Sequence, residues 1–263
     1  MSFVGRTGAG RPALLAGLAR LLPRALPALA VGLLAGGLLA VWGERPTEAR
    51  EPASKGRRAK PQPLGRFEHG CRVQKPQPFL QRRSYVRGRV MNGAKQGEAL
   101  RWLAERYGHA DDGATEAFND KPARDQSTTV RFFGLPIAMH KRVAPALACV
   151  ERRIVATCGG RYQPKAIGGF RGANTYRGRE VSNHLFGIAI DIDPDKNPCC
   201  GCVEPWPSHP ACKDRGRSAL ERSALPKCWI SAFERFGFDW LGHDELEDTM
   251  HFEFLGDPDR LTR

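Results

Sequence analysis

The first 70 residues contain no cysteine, residues 1–24 no acidic side chain, and residues 25–42 no charge of either sign. A span that is apolar all round, preceded by Arg6, Arg11, Arg20 and Arg24, is not the amphipathic helix of a soluble domain. As a helix its 18 residues would reach roughly 27 Å, close to the hydrocarbon thickness of a bilayer. The arginines before it should stay cytoplasmic, and the chain beyond it should be translocated. No small-x-small cleavage site closes the run, where Val41-Trp42 follow Ala40. We therefore read an uncleaved signal-anchor, with a removed signal peptide as the alternative. Residues 43–66, with Pro46, Pro52, Pro61 and Pro63, lack the apolar residues to build a core and read as a linker. There is no internal repeat.

The excess of positive charge is also uneven. Residues 1–66 hold 11 of the 41 Lys and Arg and 3 of the 28 Asp and Glu, so +8 of the formal +13 lies there and +5 in the remainder. A basic leader on a nearly balanced domain argues against nucleic acid as a partner and suits an exported chain that meets an anionic envelope. The periplasm or cell envelope is the expected compartment, with the membrane reached through residues 25–42. All eight cysteines (71, 149, 158, 199, 200, 202, 212 and 228) come after the leader. Beyond a membrane such an even set reads as disulfides. Cys149 with Cys158 is one candidate pair. Cys199-Cys200-x-Cys202 with Cys212 and Cys228 could instead form a second zinc site, but adjacent cysteines suit tetrahedral ligation poorly.

Globular composition starts at Phe67, and we divide the rest into 67–128, 129–256 and a tail, 257–263. Tyr85–Met91 and Thr128–Phe133 read as strands. Leu100, Leu103, Ala104 and Tyr107 mark a helix over Gln96–Tyr107 that stops at Gly108. Met139, Val143, Ala146, Leu147, Val150 and Ile154 mark another, kinked at Pro145 or starting there. Residues 159–179 read as a Gly- and Arg-rich loop. Ile188–Ile192 alternates as a strand, 195–217 is an irregular Cys- and Pro-rich insertion, and Trp229, Ile230, Phe233 and Phe236 form an amphipathic helix before Gly237.

The chemistry sits at two places. On a strand, Ile188, Ile190 and Ile192 face one way, and Ala189, Asp191 and Asp193 the other. His184 is an odd seven residues before Asp191, so it reaches the same face only if Gly187 breaks the strand. On a second strand Met250, Phe252 and Phe254 face the core, while His251 and Glu253 face outward. If the two strands are neighbours, His184, Asp191 and His251 converge. Two imidazoles and a carboxylate suit Zn²⁺, and three protein ligands leave the fourth position of a catalytic site free. Asp248, three residues before His251, is the best-placed general base; Glu253 is the reserve, or a partner that orients an imidazole. Ser182 caps or supports His184. Asp193 and Trp240 read as structural.

Ser182-x-His184-x-x-Gly187-x-Ala189-x-Asp191, then Gly237-Phe238-x-Trp240, then Asp248-x-Met250-His251-Phe252-Glu253, resembles the zinc D-alanyl-D-alanine carboxypeptidase and L-alanyl-D-glutamate endopeptidase family over about residues 129–256. The resemblance implies His184, Asp191 and His251 as ligands of one zinc ion, Asp248 as catalytic acid/base, and peptidoglycan stem peptide as substrate. It also implies an upstream arginine that pairs with substrate carboxylate. Arg171 in Gly169-Phe170-Arg171 matches best, with Arg177 close by. The implied fold is α+β, a small mainly antiparallel sheet with packed helices, of the hedgehog and D,D-peptidase kind. The shorter loop at Leu241-Gly242-His243 and the Cys-rich insertion after Asn197-Pro198 depart from the family pattern. Two other readings stand beside this one: a non-catalytic zinc-containing binding module of the envelope, and a zinc-knuckle nucleic-acid binder.

Overall fold

The computed structural model describes residues 66–262 apart from 112, 177–179 and 215. The expected basic N-terminus, membrane segment and linker therefore lie outside the described residues, as does Arg177. Among the described residues no helix is long and apolar enough to cross a membrane.

The architecture is mixed α and β, with small antiparallel sheets and four α-helices among the described residues. Two short hairpins come first: β1 (Phe67–Glu68) with β2 (Cys71–Arg72), and β3 (Val86–Arg87) with β4 (Val90–Met91). Helix α1 (Gly93–Tyr107) begins three residues earlier than its apolar stripe suggests, because the Asn92 side chain caps it by accepting from Lys95 N–H. Strand β5 (Ser127–Phe132) pairs with β6 (Leu135–His140).

β6 corrects the sequence reading, which ran Met139 into the following helix. Phe133 and Gly134 both take positive φ, 49° and 82°, in a two-residue hairpin turn that sends the chain back along β5. Ile137 and Met139 are buried at period two. Helix α2 (Ala144–Cys158) then starts with Pro145 in its first turn, where the missing N–H costs nothing. Residues 159–179 are also not all loop, since Ile167–Gly168 forms β7 against β8 (Ala189–Ile192).

The sheet that matters runs β7-β8-β10-β9, with β9 at Phe238–Trp240 and β10 at His251–Phe254, every pair antiparallel. One face carries Ile190, Ile192, Phe252, Phe254 and Phe238 into the core. There Phe233 of α4 (Lys227–Arg235) stacks on Phe252 with ring centroids 4.1 Å apart. A short helix, α3 (Ala219–Arg222), precedes α4 and opens with a capping box of Ser218 and Glu221. The opposite face carries Asp191, His251, Glu253 and Asp239. The sequence reading sent this face outward; His251 and Glu253 are in fact 2 % and 3 % exposed, so this face of the sheet is covered as well.

All eight cysteines are paired, as 71–149, 158–228, 199–202 and 200–212. Cys149 does not pair with Cys158: both lie on α2, nine residues and so about 13 Å apart along the axis, beyond disulfide reach. The paired sulfurs also leave no thiolates for a four-cysteine zinc knuckle.

Candidate metal centre and active site

Pairing of β8 with β10 sets Asp191 directly opposite His251. His184 arrives from a 3-10 turn, Asn183–Phe186. Ser182 starts this turn, its hydroxyl accepting from His184 N–H at 3.4 Å, and Gly187 ends it at φ 66°. The break at Gly187 thus brings His184 over the face of Asp191, as the odd spacing required. Only glycine fits there: a Cβ would fall 2.8 Å from the Phe170 ring and 2.9 Å from His140 N.

The three side chains converge. His184 Nε2 lies 3.2 Å from His251 Nδ1 and 3.2 Å from Asp191, and His251 Nδ1 lies 3.0 Å from the other Asp191 oxygen. The far nitrogens fix the tautomers. His184 Nδ1 donates to the Gly169 carbonyl at 2.6 Å, and His251 Nε2 faces Glu253 at 3.3 Å. Both acceptors favour a ring proton on the outer nitrogen, which would leave the lone pairs of His184 Nε2 and His251 Nδ1 to a cation held beside Asp191. One ligand atom from each residue falls within a 4.8 Å cluster, so the donor set fits a divalent borderline cation such as Zn²⁺.

The electrostatics of the bare site point the same way. Burial, the largest effect on His184, lowers its pKa. Burial would lower that of His251 too, but hydrogen bonds to Asp191 and Glu253 reverse this and raise it to about 10. Asp191 is held well below the carboxylate range: burial opposes its ionisation, and His184 and His251 outweigh burial. One proton thus sits among three ligands, where a cation would replace it.

Asp248 is buried beside this cluster. The Leu241 carbonyl accepts from its N–H at 3.1 Å, and its Oδ1 has no hydrogen-bond partner. Burial lifts its pKa to about 7; His251 pulls against that rise and Asp191 adds to it. Arg171 reaches in from the loop after β7, its guanidinium paired with Asp191 and hydrogen-bonded to Thr175 at 3.2 Å. All these groups except Glu253 line one cavity of about 470 Å³. Glu253 sits behind His251, and its Oε2 accepts from Asn183 Nδ2 at 2.7 Å. Glu253→Gln is expected to weaken any divalent cation held by this cluster about 10- to 100-fold, read by competition with a chelator, because it loosens the hold on the His251 tautomer. Asp193 accepts from Tyr162 and from the N–H groups of Lys165 and Ala166, which ties a turn together.

Sequence reasoning missed three contributors. Tyr176 lines the cavity; burial first, then the charges of Glu253, Asp248 and Asp191, keep its phenol protonated. A lone tyrosine in a loop gave no signal. Arg82 reaches the cavity from the segment before α1. It binds both oxygens of Glu180, at 2.8 and 3.0 Å, and Asp244 at 2.6 Å. Asn183 lay inside the first motif, and only its neighbours drew attention.

Comparison with known proteins adds an independent finding. No curated protein and no solved structure matches the chain. Residues 175–254, however, match the family model described as D-alanyl-D-alanine carboxypeptidase. That segment contains His184, Asp191, Asp248 and His251, and it carries a peptidase domain. The segment that holds both motifs is thus similar to the D-alanyl-D-alanine carboxypeptidase family, the family those motifs resemble.

Proposed function

We propose that this protein is an exported, zinc-dependent peptidase that hydrolyses a peptide bond in peptidoglycan stem peptides. The observation that carries the proposal is the placement of Asp248, a carboxylate whose Oδ1 has no hydrogen-bond partner, in the same cavity as the His184–Asp191–His251 cluster. His184 Nε2, His251 Nδ1 and Asp191 would hold the ion. When bound, zinc at such a site supplies Lewis-acid polarisation of a carbonyl and acidifies water. Asp248 accepts the proton of the attacking water at its carboxylate and returns it to the leaving amine. Its raised pKa suits both halves of that transfer near neutral pH. Arg171 pairs with a carboxylate on the substrate, and the Tyr176 phenol offers a hydrogen-bond donor in the same cavity. Eight paired cysteines support an oxidising compartment, in line with the leader of residues 1–42. The hedgehog and D,D-peptidase type of fold is part of this reading.

The test is digestion of purified muropeptides by the zinc-loaded protein, with products identified by mass. Release of terminal alanine marks a carboxypeptidase; an internal cut marks an endopeptidase. No product with zinc bound would favour the envelope-binding module.

A further inference from the structure

The Cys-rich insertion does more than fill a gap in the sequence. Its first residues, 198–201, run antiparallel to 246–249, the loop that delivers Asp248. The Pro198 carbonyl accepts from Thr249 N–H at 3.2 Å and from the Thr249 hydroxyl at 2.9 Å. Cys200 N–H donates to Glu247 O at 3.3 Å, and Gly201 N–H to Leu246 O at 2.7 Å. Cys199 and Asp248 form the β-bridge between them. The two backbones touch: a Cβ on Gly201 would lie 2.5 Å from Glu245 O and 2.7 Å from Leu246 O. The Cys199–Cys202 disulfide closes this turn, and both its sulfurs lie within 4.8 Å of an Asp248 carboxylate oxygen. Cys199, Gly201 and Cys202 also line the cavity. The described residues of the insertion are otherwise turns and short 3-10 segments, so its own shape rests on its internal disulfides and its hold on the Asp248 loop on this ladder.

We propose that the turn closed by Cys199–Cys202 is a positioning element for Asp248, so that efficient peptide hydrolysis requires that one disulfide. The inference rests on Asp248 acting as the acid/base. Cys199, Cys202 and Gly201 touch no reacting atom; they set where the carboxylate stands, and small displacements of such a group cost rate steeply.

A merely structural disulfide and a positioning one make opposite forecasts. The Cys199–Cys202 pair spans 3 residues and Cys200–Cys212 spans 12, so loop closure makes the second the larger contributor to stability. The experiment compares Cys199→Ser/Cys202→Ser with Cys200→Ser/Cys212→Ser in the full chain, reading kcat, KM, zinc per chain and Tm. The first variant is expected to lose at least about tenfold in kcat, with KM within about twofold and zinc unchanged. The second is expected to show the larger fall in Tm and keep kcat within about threefold. Gly201→Ala, which leaves both disulfides intact, is expected to lower kcat as well. Wild-type kcat in Cys199→Ser/Cys202→Ser, or loss of kcat in order of loop length, would overturn the proposal while the peptidase reading stands. If oxidised wild type loaded with zinc cleaves no stem peptide, both fall together.

Discussion

Asp248→Asn is expected to lower kcat on stem peptide by about two to four orders of magnitude and to leave one zinc ion per chain. The amide nearly matches the carboxylate in shape but can neither take nor return a proton. The pH profile supplies a second readout. A base works only when ionised, so in wild type kcat/KM should fall with falling pH through a pKa of about 7 or lower. The lower value arises because a cation on the neighbouring ligands stabilises the ionised carboxylate. In Asp248→Asn that acidic limb should vanish. A variant that keeps wild-type turnover would remove Asp248 from the reaction.

His251→Ala is expected to abolish both zinc retention and activity, as measured by metal analysis after dialysis and by muropeptide digestion. The substitution takes away one ligand and the hydrogen bonds that two buried carboxylates, Asp191 and Glu253, make to the imidazole. Chelation of wild type should lower Tm and activity together, and zinc should restore both, because the ion binds only the folded site. Uptake should weaken as pH falls through the raised pKa of His251, since the ion must displace the proton held there.

The convergence of His184, Asp191 and His251 was legible because two local periodicities carry it. Alternation about Ile188–Ile192 gives the face of Asp191, and the odd offset of His184 demands the break that Gly187 supplies. Alternation also sorted His251 from Phe252. It could not say that the far face is roofed over, because a period of two separates faces without saying which meets water. β6 was missed because only three residues separate His140 from α2, so an apolar strand and an apolar helix merged into one pattern. Contacts between distant residues leave no mark on local spacing. This is why the partners of Cys149 and Cys158, and the bridge from Arg82 to Glu180 and Asp244, came only from the folded chain.

That bridge bears on how small the working unit can be. A fragment trimmed to 175–254, the matched stretch, would keep His184, Asp191, Asp248 and His251 but discard Arg171 and Arg82. Glu180, which lines the cavity, and Asp244 would then be left as neighbouring anions with no Arg82 guanidinium between them. Their mutual repulsion would loosen the cavity wall at Glu180, so the working unit has to include the segment before α1.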